Sequence, residues 1–320
     1  MASVITADPV ERTALSTWRT AGAMLASLII NVAGPLIVFV DNKMDAGRMF
    51  MAAAIFGVLA IVCYLACYTL STERLSAPES KRQKMNMART MRGLLQNKPL
   101  FWILIASLIF MVNTMLVVTV NAYLFKDYFG DTRALSLIGL VQAAATFIAF
   151  PLVKPLVSKF GKKELASAGM AVAGGVYLLL FFLKDLTAIE FVAISGFGMF
   201  ALGFFNLIIW AFVTDVIDYH EFITDLREDA TVYSIYSMAR KVGQAFAGGI
   251  GGYAIEAAGY KSELAVQAPS TLEGIYFLAT FVPAANYIVI FLILVFLYPL
   301  NKKRTLQLAV DINERRKNMV

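Results

Sequence analysis

The chain has 320 residues, of which 59% are hydrophobic and only 16% are charged, and its mean hydropathy is +0.70. Soluble domains contain about half apolar and a quarter charged residues, so this composition excludes an ordinary soluble protein. The formal net charge of +6 is confined to short segments between apolar blocks, as topology signals are, which argues against a nucleic-acid-binding protein.

Apolar runs of about twenty residues, the length of a helix that crosses a bilayer, recur along the chain. Backbone groups have no water partners in lipid, so each run should be helical. Glycines at Gly34-Pro35 and Gly248-Gly249 then mark bends or close helix contacts. The sequence predicts an all-α integral membrane protein with eight spans, near residues 16–40, 48–71, 99–125, 134–158, 163–184, 188–218, 232–258 and 272–299.

The Lys and Arg residues separate when the loops are assigned alternately to two sides. The richer side holds Arg12, the 74–98 run, the Lys154–Lys163 group, Arg227 and the 302–317 tail. The positive-inside rule assigns this side to the cytoplasm, so both termini are expected there, in a cell (inner or plasma) membrane. An even number of spans agrees with this assignment.

The longest polar stretch divides the chain unevenly, with two spans before it and six after it. We expect residues 1–71 to be a remnant of an N-terminal half, 72–98 a basic cytoplasmic linker, 99–300 a six-helix C-terminal half and 301–320 a cytoplasmic tail. Transporter folds are built from repeated helical halves. The imbalance therefore predicts that four helices are missing upstream.

The strongest single signal is Lys241, about ten residues inside the seventh span, because a charge at that depth costs about 2.5–3.5 kcal/mol on insertion scales. It shares one helical stripe with Ser234, Ser237, Gln244 and Gly248. This polar face is typical of a water-filled cavity. A structural ion pair or a snorkelling side chain remains the alternative.

Other polar residues inside spans are weaker candidates. Arg19 lies in the first span, where it either faces a cavity or anchors the interface, and Arg240 should point away from the Lys241 stripe. Two further polar stripes occur in the third and sixth spans, at Asn113, Thr114 and Asn121, and at Asn206 and Trp210.

Charges cluster at the end of the sixth span, where Asp215 and Asp218 lie on one helical face. Basic partners on the same side are Lys162, Lys163 and Arg227. The set favours a breakable cytoplasmic gate over a simply solvated loop. The lone histidine, His220, is expected to be an interfacial polar residue rather than a ligand.

The sequence shows no arrangement of residues typical of an enzyme active site or a metal site. Cys63 and Cys67 lie one turn apart in an apolar run without other metal-ligating neighbours, and no serine–base or phosphate-loop constellation occurs. We expect no catalytic residue, no metal site and no cofactor.

Four motifs carry a resemblance to a known family: ADPVERTALSTWRT, DVIDYHEFITDLREDATVYS, YSMARKVGQAFAGG and FLYPLNKKRTLQLAVDINERRK. Together they resemble the glycoside-pentoside-hexuronide:cation symporters of the major facilitator superfamily, which include the melibiose and glucuronide carriers. The RK-x-GQA pattern and the YPL-x-KK tail look most similar to the glucuronide carrier branch. The resemblance implies a twelve-helix fold of which this chain supplies helices five to twelve.

The resemblance also implies roles for individual residues. Arg19 matches an arginine that helps to hold sugar, and Lys241 matches a lysine close to the coupled cation and the sugar. Asp215, Asp218 and Arg227 match charges that close the cytoplasmic side.

The leading hypothesis is cation-coupled (H⁺ or Na⁺) symport of glycosides, hexuronides or pentosides by alternating access. The partners would be a small sugar or glycoside and membrane lipid, the carrier is expected to act as a monomer, and the substrate-binding residues would be Arg19, Lys241, Ser237, Gln244 and Asn206. With a uronide, Lys241 or Arg240 could pair the carboxylate. Rival hypotheses are an inactive truncated remnant and a membrane subunit that needs a partner.

Overall fold

A computed structural model describes residues 5–6, 8–40, 43–44, 46–72, 93–94, 96–225, 227–264 and 266–318. The described chain is helical almost throughout. Its helices are α1 (Pro9–Val38), α2 (Ala46–Leu70), α3 (Lys98–Tyr123), α4 (Thr132–Phe160), α5 (Lys162–Phe182), α6 (Ala188–Thr224), α7 (Asp229–Ala257), α8 (Pro269–Leu292) and α9 (Lys302–Asn318). The predicted linker falls largely on residues 73–92, outside the described part.

Short irregular segments complete the architecture. A two-residue antiparallel pair, β1 (Phe39–Val40) and β2 (Lys43–Met44), joins α1 to α2. The helices α3 and α8 each end in one π-helical turn, at Leu124–Tyr128 and Ile293–Leu297.

Six of these helices are long and apolar enough to cross a membrane: α2, α3 with its π-turn, α4 from Leu137, α5, α6, and α8 with its π-turn. The two other long helices, α1 and α7, coincide with the first and seventh predicted spans and are as long, at 30 and 29 residues. Both are more polar on average, because α1 carries Glu11, Arg12 and Arg19 in its first half and α7 carries Arg240 and Lys241 in its middle. The predicted fold class, an all-α membrane bundle, is confirmed.

Helix α6 is the most buried span and the centre of the bundle. It packs against α1, α4 and α5 along its length, and it also contacts α3, α7 and α9. Helix α7 packs mainly on α3, and α8 packs on α5 and α3. By contrast, α2 contributes one buried residue, Ala52, and nearly all of its other side chains are exposed.

Local side-chain hydrogen bonds define where α6 and neighbouring helices begin. Thr187 and Glu190 form a capping box, in which the Glu190 amide donates to the Thr187 hydroxyl at 3.3 Å and the Thr187 amide donates to the Glu190 carboxylate at 2.8 Å. Asn97 caps α3 by accepting from the Leu100 amide at 3.0 Å. Gly161, with a φ of 109°, makes the sharp turn from α4 into α5.

Two boundaries differ from the predicted spans. Helix α1 begins at Pro9 rather than near 16, and α6 continues to Thr224 rather than ending near 218. The charged ends stay helical because other helices supply their ion partners. Close helix contacts also fall elsewhere than predicted. Gly248 has open space around it, whereas Gly243 packs against Leu108 and Met111 of α3.

Candidate functional site

A buried ion pair joins the start of α5 to the last third of α6. The Lys162 ammonium lies 2.5 Å from the Asp215 carboxylate, and the two side chains are only 7% and 3% exposed. Lys162 is the first residue of α5, where the helix dipole disfavours a positive charge. Asp215 is therefore the group that makes this buried ammonium tolerable.

A second network links α1, α6 and the segment before α7. The Arg12 guanidinium is 3% exposed and pairs with Asp218 of α6. Arg227 contacts the other oxygen of Asp218 at 3.4 Å and the Glu221 carboxylate at 2.5 Å. Burial lowers the pKa of Arg227, but the surrounding carboxylates, Asp229 first, outweigh it, so this pKa is raised above its ordinary value. Arg227 stays charged.

Further contacts close the same end of the bundle. The Asn97 side chain, fully buried, donates to the Val216 carbonyl at 3.2 Å and so ties the start of α3 to the charged turn of α6. Helix α9 packs against α6, and its Leu308 and Ile312 are buried. Arg315 lies 4.4 Å above the Phe222 ring of α6. The tail helix therefore packs on the end of α6 that carries the ion network.

His220 is placed differently from the expected interfacial position. Its side chain is fully buried between α6 and its neighbours, and its Nε2 lies 3.0 Å from the Glu228 carboxylate. The reason is local, because Gly93 leaves room for the imidazole: an added Cβ there would lie 3.0 Å from the His220 ring.

A cavity of about 420 Å³ opens between α3, α4 and α6, with one tyrosine each from α5 and α8. Its polar groups are amides, hydroxyls and phenols. They belong to Thr114, Asn121, Gln142, Thr146, Asn206, Tyr177 and Tyr287, set among apolar and aromatic side chains such as Phe110, Met111 and Phe147. Of the predicted substrate-binding residues, Asn206 lines this cavity, and the α3 stripe contributes Thr114 and Asn121.

A cluster of arginine and aromatic residues lies one helical turn beyond Asn206. The Arg19 guanidinium sits 3.9 Å from the centre of the Trp210 ring, and that of Arg240 sits 5.1 Å from it. Arg19 also donates to the Tyr233 hydroxyl at 2.6 Å. The rings of Trp210 and Tyr233 are stacked, with centroids 5.4 Å apart. Three helices, α1, α6 and α7, thus meet at Trp210.

The Lys241 stripe lies beside the cavity and not in its wall. Lys241 is exposed, and its ammonium donates to Gln244 of its own helix at 3.1 Å. The Gln244 amide in turn lies 3.9 Å from the sulfur of Met111, which lines the cavity. Ser237 is half-buried and does not line it. The buried face of α7 is formed instead by residues such as Tyr236, Gly243 and Ala247.

Sequence reasoning missed two contributors. Arg12 was counted only as a topology signal, and Asn97 was not singled out. Arg240 was named as a possible partner of a uronide carboxylate, but its contact with Trp210 was not predicted. A buried arginine near a helix start is not distinguishable in sequence from a solvated one, because its partner Asp218 is 206 residues away. The Arg240 contact with Trp210 likewise depends on how α7 is rotated against α6.

Comparison with known proteins identifies the family. Residues 1–302 match the profile of the family described as MFS/sugar transport protein. A putative 2,3-dihydroxypropane-1-sulfonate exporter of Escherichia coli is 30% identical over 320 residues, which cover 99% of this chain and 69% of that protein. A putative sulfoquinovose importer of the same organism is 30% identical over 316 residues (99% and 67%), and its glucuronide carrier protein homolog is 27% identical over 325 residues (99% and 69%).

These matches confirm the predicted family resemblance and the class of multi-pass, non-enzymatic transporter. The predicted loss of four upstream helices stays a prediction. The chain belongs to the MFS sugar transport family.

Proposed function

We propose that this protein is a secondary active transporter that moves a glycoside, hexuronide or pentoside by alternating access, coupled to H⁺ or Na⁺. The observation that carries the proposal is the order of features along α6. Asn206 lines the cavity, Trp210 follows one turn later, and Asp215 and Asp218 hold the buried ion network. From Asn206 to Asp215 the helix rises about 14 Å.

The cavity has the chemistry of a sugar site. Its volume falls in the range of small-molecule pockets, about 300–1,000 Å³. Amide and hydroxyl groups of Asn121, Gln142 and Asn206 can bond sugar hydroxyls, while Phe110 and Phe147 offer apolar surface for the carbon face of the ring. Three relatives are named for a sulfonate, a sulfo-sugar or a glucuronide, so a solute with an acidic group is within the proposed range.

The ion network is the proposed cytoplasmic gate, made of Asp215, Asp218, Arg227 and Lys162. To these predicted residues we add Arg12, whose buried pair with Asp218 joins α1 to α6. Such pairs are stable while closed, because removing one partner strands a buried charge. They can also be exchanged for water when the helices separate. Both properties suit a gate with two discrete states.

Lys241 is proposed to act on the coupling cation and not as a direct sugar ligand of this cavity. Its exposed ammonium donates to Gln244, and the Gln244 amide lies beside Met111 of the cavity wall. A fixed positive charge at that distance changes the affinity of a nearby cation site. We further propose that both termini are cytoplasmic, that the carrier resides in the cell membrane and acts as a monomer, and that residues 99–300 form one helical half.

Uptake by proteoliposomes tests the proposal. The purified chain is reconstituted and offered radiolabelled glucuronides, pentosides and galactosides under an imposed H⁺ or Na⁺ gradient. We expect the transported sugar to accumulate inside the liposomes above its outside concentration. An ionophore that dissipates the ion gradient should abolish this accumulation. Gln142→Ala in the cavity should reduce uptake, while Gln307→Ala, exposed on α9, should not. Uptake of every sugar equal to that of empty liposomes would contradict the proposal.

A further inference from the structure

The two arginines at Trp210 come from different helices and converge on one ring. Arg19 belongs to α1 and Arg240 to α7, and both guanidinium carbons lie within about 5 Å of the Trp210 centroid. Cation–π contact of this kind favours guanidinium over an aromatic face. Each guanidinium has five N–H donors, so donors remain beyond those directed at Tyr233 and Met111.

Neither arginine is neutralised within the described part of the chain. The recorded polar partners are the Tyr233 hydroxyl for Arg19 and the Met111 sulfur, at 3.6 Å, for Arg240. No carboxylate of the described residues lies within ion-pair distance of either guanidinium. Arg12 and Arg227, by contrast, are both paired with Asp218.

Arg19 is exposed and Arg240 is half-buried, so a solute can reach both guanidiniums, and their like charges repel around one ring. An anion placed between them would offset that repulsion. A planar or tetrahedral oxyanion accepts several N–H bonds at once, and charge-assisted bonds of this kind are about twice as strong as neutral ones.

The cluster also adjoins the proposed sugar cavity. Trp210 follows Asn206 by four residues on α6, so the two side chains share one face of the helix. Met111, which contacts Arg240, lines the cavity itself. A solute lying in the cavity can therefore extend a charged group to the arginines.

We infer that Arg19 and Arg240, held by Trp210, form a subsite for an oxyanion borne by the transported sugar, either a carboxylate or a sulfonate. This inference rests on the proposed function for its solute. The cavity then recognises the hydroxyls of the sugar, and the arginine pair selects acidic solutes against neutral ones of the same shape.

Binding to the purified full chain in nanodiscs, without any ion gradient, separates this subsite from transport. The probes are methyl β-D-glucuronide, the methyl 6-deoxy-6-sulfo-glucoside, and the neutral methyl β-D-glucoside, titrated by calorimetry. We expect the two acidic probes to bind more tightly than the neutral one, with affinity that falls as salt is added. A preference for only one acid would identify which oxyanion the subsite fits.

Substitutions locate the effect. Arg240→Gln should weaken both acidic probes at least about tenfold, the range of a lost charge-assisted bond, and leave the neutral probe unchanged. Arg240→Lys keeps the charge but loses the planar fork, so an intermediate affinity is expected. Arg304→Gln, an equal change of charge at an exposed position of α9, is the matched control.

Each outcome of these titrations either supports or refutes the oxyanion subsite. Selective loss of the acidic probes supports the subsite, even if uptake by proteoliposomes then fails. Equal affinities of the parent chain for acidic and neutral probes would refute the subsite. So would an Arg240→Gln variant that loses affinity equally for acidic and neutral probes, or a parent chain that binds neither acidic probe. Gel filtration and thermal unfolding of each variant confirm that the chain is folded.

Discussion

Breaking the Lys162–Asp215 pair is the most direct test of the proposed gate. In Asp215→Asn the ammonium stays in place, 7% exposed, and loses the carboxylate 2.5 Å away. Removing one partner of a buried pair costs about 3–5 kcal/mol. If only the closed state holds the pair, the relative population of the open state rises by a factor of about 10² to 4 × 10³, at about tenfold per 1.4 kcal/mol.

Thiol labelling reports that shift. Cys63 and Cys67, both exposed on α2, are replaced by alanine, and a single cysteine is introduced at Thr214, half-buried on α6 just inside the pair. An impermeant maleimide is then applied to inside-out vesicles. We expect Asp215→Asn to raise the rate of labelling by about two orders of magnitude or more, up to the rate of a fully open state.

Two control variants test whether the change in labelling depends on breaking a buried ion pair. The Lys154–Glu11 pair has a similar distance, 2.7 Å, but its side chains are 55% and 50% exposed, so Lys154→Gln should cost less than about 1 kcal/mol and barely change labelling. The double variant Lys162→Gln with Asp215→Asn should be less perturbed than the sum of its parts. Labelling of Asp215→Asn at the parent rate, with unchanged thermal stability, would refute a closed gate held by this pair.

Three further expectations concern stability, measured as the midpoint of thermal unfolding in detergent. Gly169→Ala should destabilise by about 1–3 kcal/mol, because its Cβ would lie 2.5 Å from a carbonyl of α6, whereas Gly175→Ala has open space and should not. Tyr276→Phe should cost about 1–3 kcal/mol, because its hydroxyl lies 2.7 and 2.6 Å from two carbonyls at the end of α5, while Tyr253→Phe, 74% exposed, should be neutral. Arg315→Ala should cost no more than about 1 kcal/mol, since its ion pair is exposed and its ring partner Phe222 is only half-buried; a larger loss would mean that α9 stabilises the end of α6 more than these contacts imply.

The spans could be predicted because their signal is local. A block of twenty apolar residues specifies a membrane helix without reference to any neighbour, and the eight long helices lie where those blocks are. The helix ends were less predictable. Helix α6 runs on through Asp218, which pairs there with Arg12 and Arg227, and neither partner lies within the sequence of α6.

The candidate site was predictable only in part, because periodicity gives the face of a helix but not the direction in which that face points. Lys241 drew attention as a charge in an apolar run, yet its side chain lies off the cavity wall. The polar part of the wall comes instead from several helices, including Asn121 of α3, Gln142 of α4 and Asn206 of α6. Asn121 and Asn206 belong to predicted polar stripes, but their convergence with Gln142 is a property of the packing.

The contacts between α1 and α6 bear on how binding and gating communicate. Arg12 pairs with Asp218, and Arg19 lies over Trp210 seven residues further along α1. An anion bound at Arg19 and the ion pair at Arg12 therefore act on the same pair of helices. If the open and closed gates differ in their affinity for solute, linkage is reciprocal, so a substitution that opens the gate must change solute affinity without touching the solute. Asp215→Asn should then shift the measured affinity for an acidic sugar, whereas Lys154→Gln should leave it unchanged.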